Sequence, residues 1–201
     1  MLSMDRRTFL TGLSAGAAAL VAAPQTLWAL TESSASKLIN SLVADINRVI
    51  DSGKGENAMF REFERIFQRY SDTSYIAAYA LGVDGRRATK AQKKAFSKAF
   101  QGYISRKYGK RFREFIGGKL EVKGVKKVKK WYEVSTIAYL KGQSPFEVTF
   151  LVSDRSGRDL FFNMFIEGVN LLLTERTEIG AILDSKKGDI DALIAELKRL
   201  S

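Results

Sequence analysis

Apolar residues recur with helical spacing along the first half of the chain and with strand spacing along much of the second. Leu38, Ile39, Leu42, Val43, Ile46, Val49 and Ile50 fall one or three residues apart, which predicts a helix with one buried face. Asp51-Ser52-Gly53-Lys54-Gly55 interrupts it. Phe60, Phe63, Ile66, Phe67 and Tyr70 form the next face. A third, short helix is expected over 72–81, stopped by Gly82 as a left-handed C-cap. Thr89-Lys90-Ala91-Gln92 is a capping-box pattern. It opens a long helix with Ala91, Ala95, Phe96, Ala99, Phe100, Tyr103 and Ile104 on one side, and Gly117-Gly118 ends the helical half.

Strand-like segments then cover 119–128, 131–140, 146–153 and 160–168. Phe146, Val148, Phe150 and Val152 alternate with Glu147, Thr149, Leu151 and Ser153. Lys141-Gly142 and residues 154–157 read as hairpin loops. Ile190, Leu193, Ile194, Leu197 and Leu200 mark a final amphipathic helix. Helices followed by a run of strands predict an α+β fold: a helical layer on a mostly antiparallel, four-stranded sheet, closed by a C-terminal helix. The fourth strand is apolar on both faces, with Leu160, Phe162 and Met164 on one and Phe161 and Phe165 on the other. Its second face needs a cover: a helix, a partner or a bound apolar molecule.

The first thirty residues follow a different logic. Arg6-Arg7 precedes Thr8-Phe9-Leu10 and an apolar stretch of small residues from Leu13 to Ala23, ending in Leu27-Trp28-Ala29. This layout predicts a twin-arginine secretory signal over 1–29, cleaved after Ala29 or alternatively after Ala35. The apolar stretch is well short of the ~20 residues needed to span a bilayer. A single domain over 30–201, delivered folded to the periplasm, is the expectation.

Composition narrows the chemistry. The chain of 201 residues has no Cys and no His, so disulfide scaffolds, thiol or His-based catalysis and nearly all zinc sites are excluded. Gly53-Lys54-Gly55-Glu56-Asn57-Ala58 matches a loose dinucleotide fingerprint, but no strand precedes it. Ser34-Ala35-Ser36-Lys37 lacks the companion motifs of β-lactamase-like enzymes. The carboxylate pairs Asp154 with Asp159 and Glu175 with Glu178 read as solvated charges, since no spacing demands acid–base work.

Two features rise above background. Aromatic residues crowd both the helical block and the strands facing it. Of the formal net charge of +11, residues 106–130 carry +9. Lys119 and Lys123 share one face of the first strand, and Lys126, Lys127, Lys129 and Lys130 follow in its turn. The bland reading is an edge strand guarded by lysine. The functional reading is a docking surface for anionic lipid headgroups or an acidic partner. An exported protein leaves little place for nucleic acid.

Two stretches resemble the MlaC family, the toluene-tolerance auxiliary proteins that form the periplasmic component of a phospholipid ABC transport system. One is Ile76-Ala77-Ala78-Tyr79-Ala80-Leu81-Gly82, continued by Arg86-Arg87-Ala88-Thr89 and then Gln92, Phe96, Phe100, Tyr103 and Tyr108. The other is Phe162-Asn163-Met164-Phe165-Ile166-Glu167-Gly168-Val169-Asn170-Leu171, with Arg176 and Ile182-Leu183 after it. The chain departs from the family pattern at Asp159, Asn163, Asn170 and Glu175, where Trp, Asp, Ser and Tyr are common.

The resemblance implies a helical layer over a curved sheet, NTF2-like in layout, with a deep apolar cavity between them. It implies a carrier that moves phospholipid between inner and outer membranes and uses no cofactor. Its implied partners are an inner-membrane ABC transporter with a lipid-binding periplasmic subunit and an outer-membrane lipoprotein complex. A carrier must sheathe its cargo. At ~0.8 kcal/mol per methylene, two chains of ~16 carbons cost on the order of 25 kcal/mol bare in water. Candidate lining residues are Phe60, Phe63, Phe67, Tyr75, Tyr79, Phe100, Tyr103, Phe146, Val148, Phe150, Phe162, Val169 and Leu171. Two alternatives remain. An NTF2-like enzyme would need a buried acid or base, and Asn163, the best-placed candidate, cannot ionise. A basic interaction module would have a solid core.

Overall fold

Each periodic face becomes a helix in the computed structural model, which describes residues 29–112 and 118–201. The predicted secretory signal therefore lies outside the described residues except for Ala29, as does Gly117. Helix α1 (Glu32–Ile50) starts on a capping box in which Thr31 Oγ1 accepts from Ser34 N–H at 3.1 Å and Ser34 Oγ accepts from Thr31 N–H at 3.0 Å. It buries Ile39, Leu42, Val43, Ile46, Val49 and Ile50 of the predicted stripe and leaves Leu38 half-buried. Helix α2 (Glu56–Tyr70) ends beside α1, where Tyr70 OH donates to Asp45 at 2.6 Å. That bond, with Arg48 and Arg69 nearby, holds the Asp45 carboxyl below its usual range.

Helix α3 (Thr73–Leu81) is capped by Asp72 and stops at Gly82, whose φ of 59° suits a residue without a β-carbon. A 3₁₀ turn (Gly82–Arg86) leads to α4 (Lys90–Phe112). The predicted capping box forms here: Gln92 N–H donates to Thr89 Oγ1 at 3.1 Å, and Thr89 N–H to Gln92 Oε1 at 3.0 Å.

The sheet is an antiparallel meander, β1 (Lys119–Val128), β2 (Trp131–Tyr139), β3 (Phe146–Ser153), β4 (Leu160–Ile166) and β5 (Val169–Asn170), in sequential order. The expected four strands are thus five. Glu167 and Gly168, at φ of 49° and 79°, turn the chain so that Val169 pairs with Ile166 and Asn170 with Phe165. Two residues are too few to carry an alternation, so an apolar stretch running on into a helix hid this strand. Helix α5 (Leu171–Ser185) follows at once, capped by Asn170, and α6 (Ile190–Leu200) is capped by Asp189.

Alternation puts Tyr132, Val134, Thr136 and Ala138 of β2 on the inner face, all buried. Helix α1 packs across β1 to β3, α2 lies on α1 and α4, α6 on α4, and α3 on α5. A bulge modifies the pattern: Leu151 pairs with Asn163 but Val152 with Phe161, which leaves Phe162 as an extra residue. Phe162 consequently meets Tyr75 and Trp131 edge-on, with ring centres 5.6 Å and 6.1 Å away. The bulge thus parts Phe162 from Met164, with which the alternation grouped it, and these rings cover it.

Phe100 is completely buried, against Phe96 at 5.7 Å and Tyr103 at 6.4 Å. Phe100→Ala is expected to destabilise the protein by about 3–5 kcal/mol, as measured by urea denaturation.

Candidate functional site

Over part of their facing surfaces the helices and the sheet do not touch. An apolar pocket of about 440 Å³ lies between them. Its helical wall is Leu42 and Ile46 of α1, Phe63, Ile66 and Phe67 of α2, and Ile104, Ser105 and Tyr108 of α4. Its sheet wall is Leu120 of β1, Val148 and Phe150 of β3, and Phe161, Met164 and Ile166 of β4. Leu140, Gln143, Ser144 and Phe146 from the β2–β3 connection and the start of β3, with Glu167 from the β4–β5 turn, add the few polar groups. A mostly apolar wall, with Gln143, Ser144 and Glu167 on the loops and Ser105 and Tyr108 on α4 as its few polar side chains, is suited to a hydrocarbon guest with a polar end.

The predicted lining residues divide. Phe63, Phe67, Phe146, Val148 and Phe150 meet in the pocket. Phe67, Phe162 and Leu171 also line a small chamber of about 30 Å³, whose walls share Ile104, Tyr108, Phe161 and Met164 with the main pocket. The others lie elsewhere. Phe60 packs between α2 and α4: a β-carbon added at Gly109 would stand 2.7 Å from its ring, and the Arg106 guanidinium lies 5.8 Å from the ring centre. Tyr75 and Tyr79 sit under guanidinium groups, Arg155 at 4.1 Å and Arg176 at 5.2 Å. Phe100 belongs to the core around α4, and Val169 is 55% exposed.

Tyr103 has a polar role. Its hydroxyl donates to Glu178, within a network linking α4 to α5. Lys107 Nζ donates to Glu175 Oε1 at 2.7 Å and also to Glu178, and Tyr108 OH donates to Glu175 Oε1. Glu175 is only 3% exposed, not the solvated charge that its chemistry predicts. A signal was available: Leu172, Glu175, Ile179 and Leu183 form the buried stripe of α5 at intervals of three, four and four. Asn163 is held from both ends of its amide, its Nδ2 donating to Asn170 Oδ1 and its Oδ1 accepting from the Met164 and Leu172 N–H groups. It ties β4 to the start of α5.

Burial together with the glutamates raises the Tyr103 and Tyr108 pKa values. Burial works against the charges on Lys107 and Glu178. Hydrogen bonds prevail: those to Glu175 and Glu178 take Lys107 up, and those from Lys107 and Tyr103 take Glu178 down.

The basic strand is partly self-compensated. Glu121 accepts from Lys119 at 2.5 Å and Lys123 at 2.6 Å, hydrogen bonds that bring its pKa down to about 2. Lys119 and Lys123 also lie over the Tyr139 ring, and Lys127 over Tyr132. Lys126, Lys129 and Lys130 are exposed at the far end of the β1–β2 hairpin, where Lys129 takes φ of 54°. A second groove of about 670 Å³ runs between α3 and α4, but Arg86, Lys93, Lys94 and Lys98 around it make it unfit to sheathe hydrocarbon. Among the described residues no cluster of acidic side chains could hold a metal ion, and no helix is long and apolar enough to cross a membrane.

Helices laid over one face of an antiparallel sheet, parted from it by an apolar pocket, define a ligand-binding α+β class. Residues 36–199 match the family described as MlaC protein, and the chain belongs to that family. It is also similar to the solved structure of a phospholipid-binding protein from Ralstonia solanacearum in complex with a phospholipid. The two share 17% sequence identity at a TM-score of 0.71, over 83% of this chain and 96% of that one. At that identity the likeness speaks for the fold.

The α4–α5 network sets a pH window. Glu178 titrates below its ordinary 4.5, so its contribution is present above that value and fades as pH falls through the lowered pKa. Lys107 titrates above its ordinary 10.5, so its contribution is present below that value and fades as pH rises through the raised pKa. Glu178 is partly solvated, so Glu178→Gln is expected to cost on the order of 0.5 kcal/mol at neutral pH. The same change should flatten the acid limb in urea titrations.

Proposed function

We propose that the protein is a periplasmic lipid carrier whose cargo is a phospholipid, with hydrocarbon sheathed in the pocket between helices and sheet. The observation that carries this is the pocket itself: about 440 Å³ of apolar-walled space in a member of the MlaC family. At ~30 Å³ for a water-sized group, that is room for roughly fifteen methylenes, on the order of one acyl chain. A second chain would have to widen the pocket or lie along its mouth. The phospholipid bound by the Ralstonia protein supports the same class of cargo here.

In this reading the headgroup lies at Gln143, Ser144 and Glu167. The carrier takes its lipid from, or gives it to, an inner-membrane ABC transporter with a lipid-binding periplasmic subunit and an outer-membrane lipoprotein complex. The role is binding and transport without chemistry. The enzyme alternative asks for a buried acid or base. The buried carboxyls are already engaged: Glu175 pairs with Lys107, and Asp72 accepts from Tyr75 N–H and the Ser156 hydroxyl. Export precedes all of this. Leu30 N–H donates to Asp154 at 3.2 Å, Thr31 caps α1 and Ala35 is wholly buried. These contacts favour processing after Ala29 over processing after Ala35, and the intact mass of the exported protein distinguishes the two.

Organic extraction of the purified mature protein is expected to release phospholipid, identified by mass spectrometry; a folded sample that yields none and takes up none overturns the proposal. Val148→Trp places a large ring in the pocket wall. It should lower phospholipid uptake at least about tenfold while the circular dichroism of the folded protein is kept. Reversing charge at Lys126, Lys129 and Lys130 should slow transfer to anionic vesicles at low salt, with the difference fading as salt rises.

A further inference from the structure

The groove of about 670 Å³ between α3 and α4 has a composition of its own. Buried Ala77, Leu81 and Phe96 form its floor, and the exposed Ala78 adds a further apolar contact. Arg86, Lys93, Lys94 and Lys98 stand around it, all exposed, and no acidic residue lines it. Residues 82–101 hold six Lys or Arg against Asp84 alone. Asp84 is taken by Arg87 at 3.0 Å, and among the described residues the four groove cations have no ion pair. Val83, in the 3₁₀ turn that closes one end, is 56% exposed. This charge is separate from the lysines of the β1–β2 hairpin. Helix α3 packs on α4, α5 and β4, and β1 lies three strands away from β4.

We infer that this groove is the docking site for an acidic amphipathic helix of a partner protein. The inference goes beyond the lipid-carrier reading and holds whatever the pocket contains. Unpaired cations of one sign around a concave surface select an acidic occupant and repel a basic one. Shape then decides between acidic occupants. A flat bilayer meets the rim and leaves the floor wet, whereas a helix laid in the groove covers Ala77, Ala78 and Leu81. Spacing agrees with a helix. Lys94 and Lys98, four residues apart on α4, are separated by about 6 Å along its axis. A helix lying alongside with acidic residues four apart presents carboxylates at the same interval. Its apolar side faces the floor.

The test uses the mature protein and two fluorescently labelled alanine-based helical peptides with leucine along one side. One carries glutamate every fourth residue beside the leucines, the other glutamine there. Fluorescence anisotropy at low salt is expected to show the glutamate peptide binding about tenfold or more tightly than its twin, with the advantage fading as salt rises. Lys94→Glu combined with Lys98→Glu should remove that advantage, and Ala78→Trp, which obstructs the groove without changing charge, should weaken the glutamate peptide about tenfold. Reversing Lys126, Lys129 and Lys130 should leave its affinity within about twofold. Equal affinity for the two peptides overturns the inference. So does an affinity unchanged by Ala78→Trp, which would leave only loose surface charge. Binding of anionic vesicles that depends on Lys94 and Lys98, with peptide affinity unchanged, gives the groove to a membrane and overturns it as well. Circular dichroism checks each variant, and the peptide comparison on the natural protein needs none. Phospholipid uptake is measured in parallel: its absence sinks the carrier reading alone, whereas uptake without peptide preference sinks the groove alone.

Discussion

Apolar surface that faces an opening is the constraint on which this molecule turns. Phe63, Phe67, Val148, Phe150 and Phe161 have the character of core residues, yet part of each side chain faces a space rather than a neighbour. Such surface stays in contact with water or with a guest. Sheathing roughly fifteen methylenes there, at ~0.8 kcal/mol each, is worth on the order of 12 kcal/mol before the losses of association. That is comparable with the whole stability of an ordinary domain. Occupancy and folding are then coupled by mass action. The walls are nonetheless fixed relative to one another, because Phe67 of α2 meets Phe161 of β4 edge-on at 6.0 Å, and Phe161 meets Phe150 at 5.5 Å.

Most of the architecture was readable from local pattern because local pattern determines it. The stripe from Leu38 to Ile50, the Thr89–Gln92 capping box and the turns at Gly142 and Gly157, with φ of 78° and 84°, all act within a few residues. What escaped was decided by register and by contacts distant in sequence. The bulge at Phe162 changes which side chains of β4 face the pocket, and its residue types do not announce it. Tyr75 and Tyr79 were assigned to the pocket as aromatics on a helix, but they face Arg155 and Arg176, far along the chain. Glu175 was read as solvated by its chemistry, although its position in the α5 stripe said otherwise.

Polar groups are sorted by depth. The lysines of β1 and its turn face solvent, partly held by Glu121 and by tyrosine rings. The α4–α5 network sits behind the pocket and fixes one helix to the other. Between them the wall carries little that can hydrogen-bond. A guest is therefore held mainly by exclusion from water, a force without direction that tolerates variation in tail length.

The titrating groups have one further consequence. The chain has no histidine, and among the described residues every shifted pKa moves away from neutrality: Asp45, Glu62, Glu121, Glu178 and Glu196 downward, Tyr70, Tyr103, Lys107, Tyr108, Lys123 and Arg199 upward. Mild acidity is thus a weak lever on this fold. The hold of the pocket on an apolar guest is therefore insensitive to pH around neutrality.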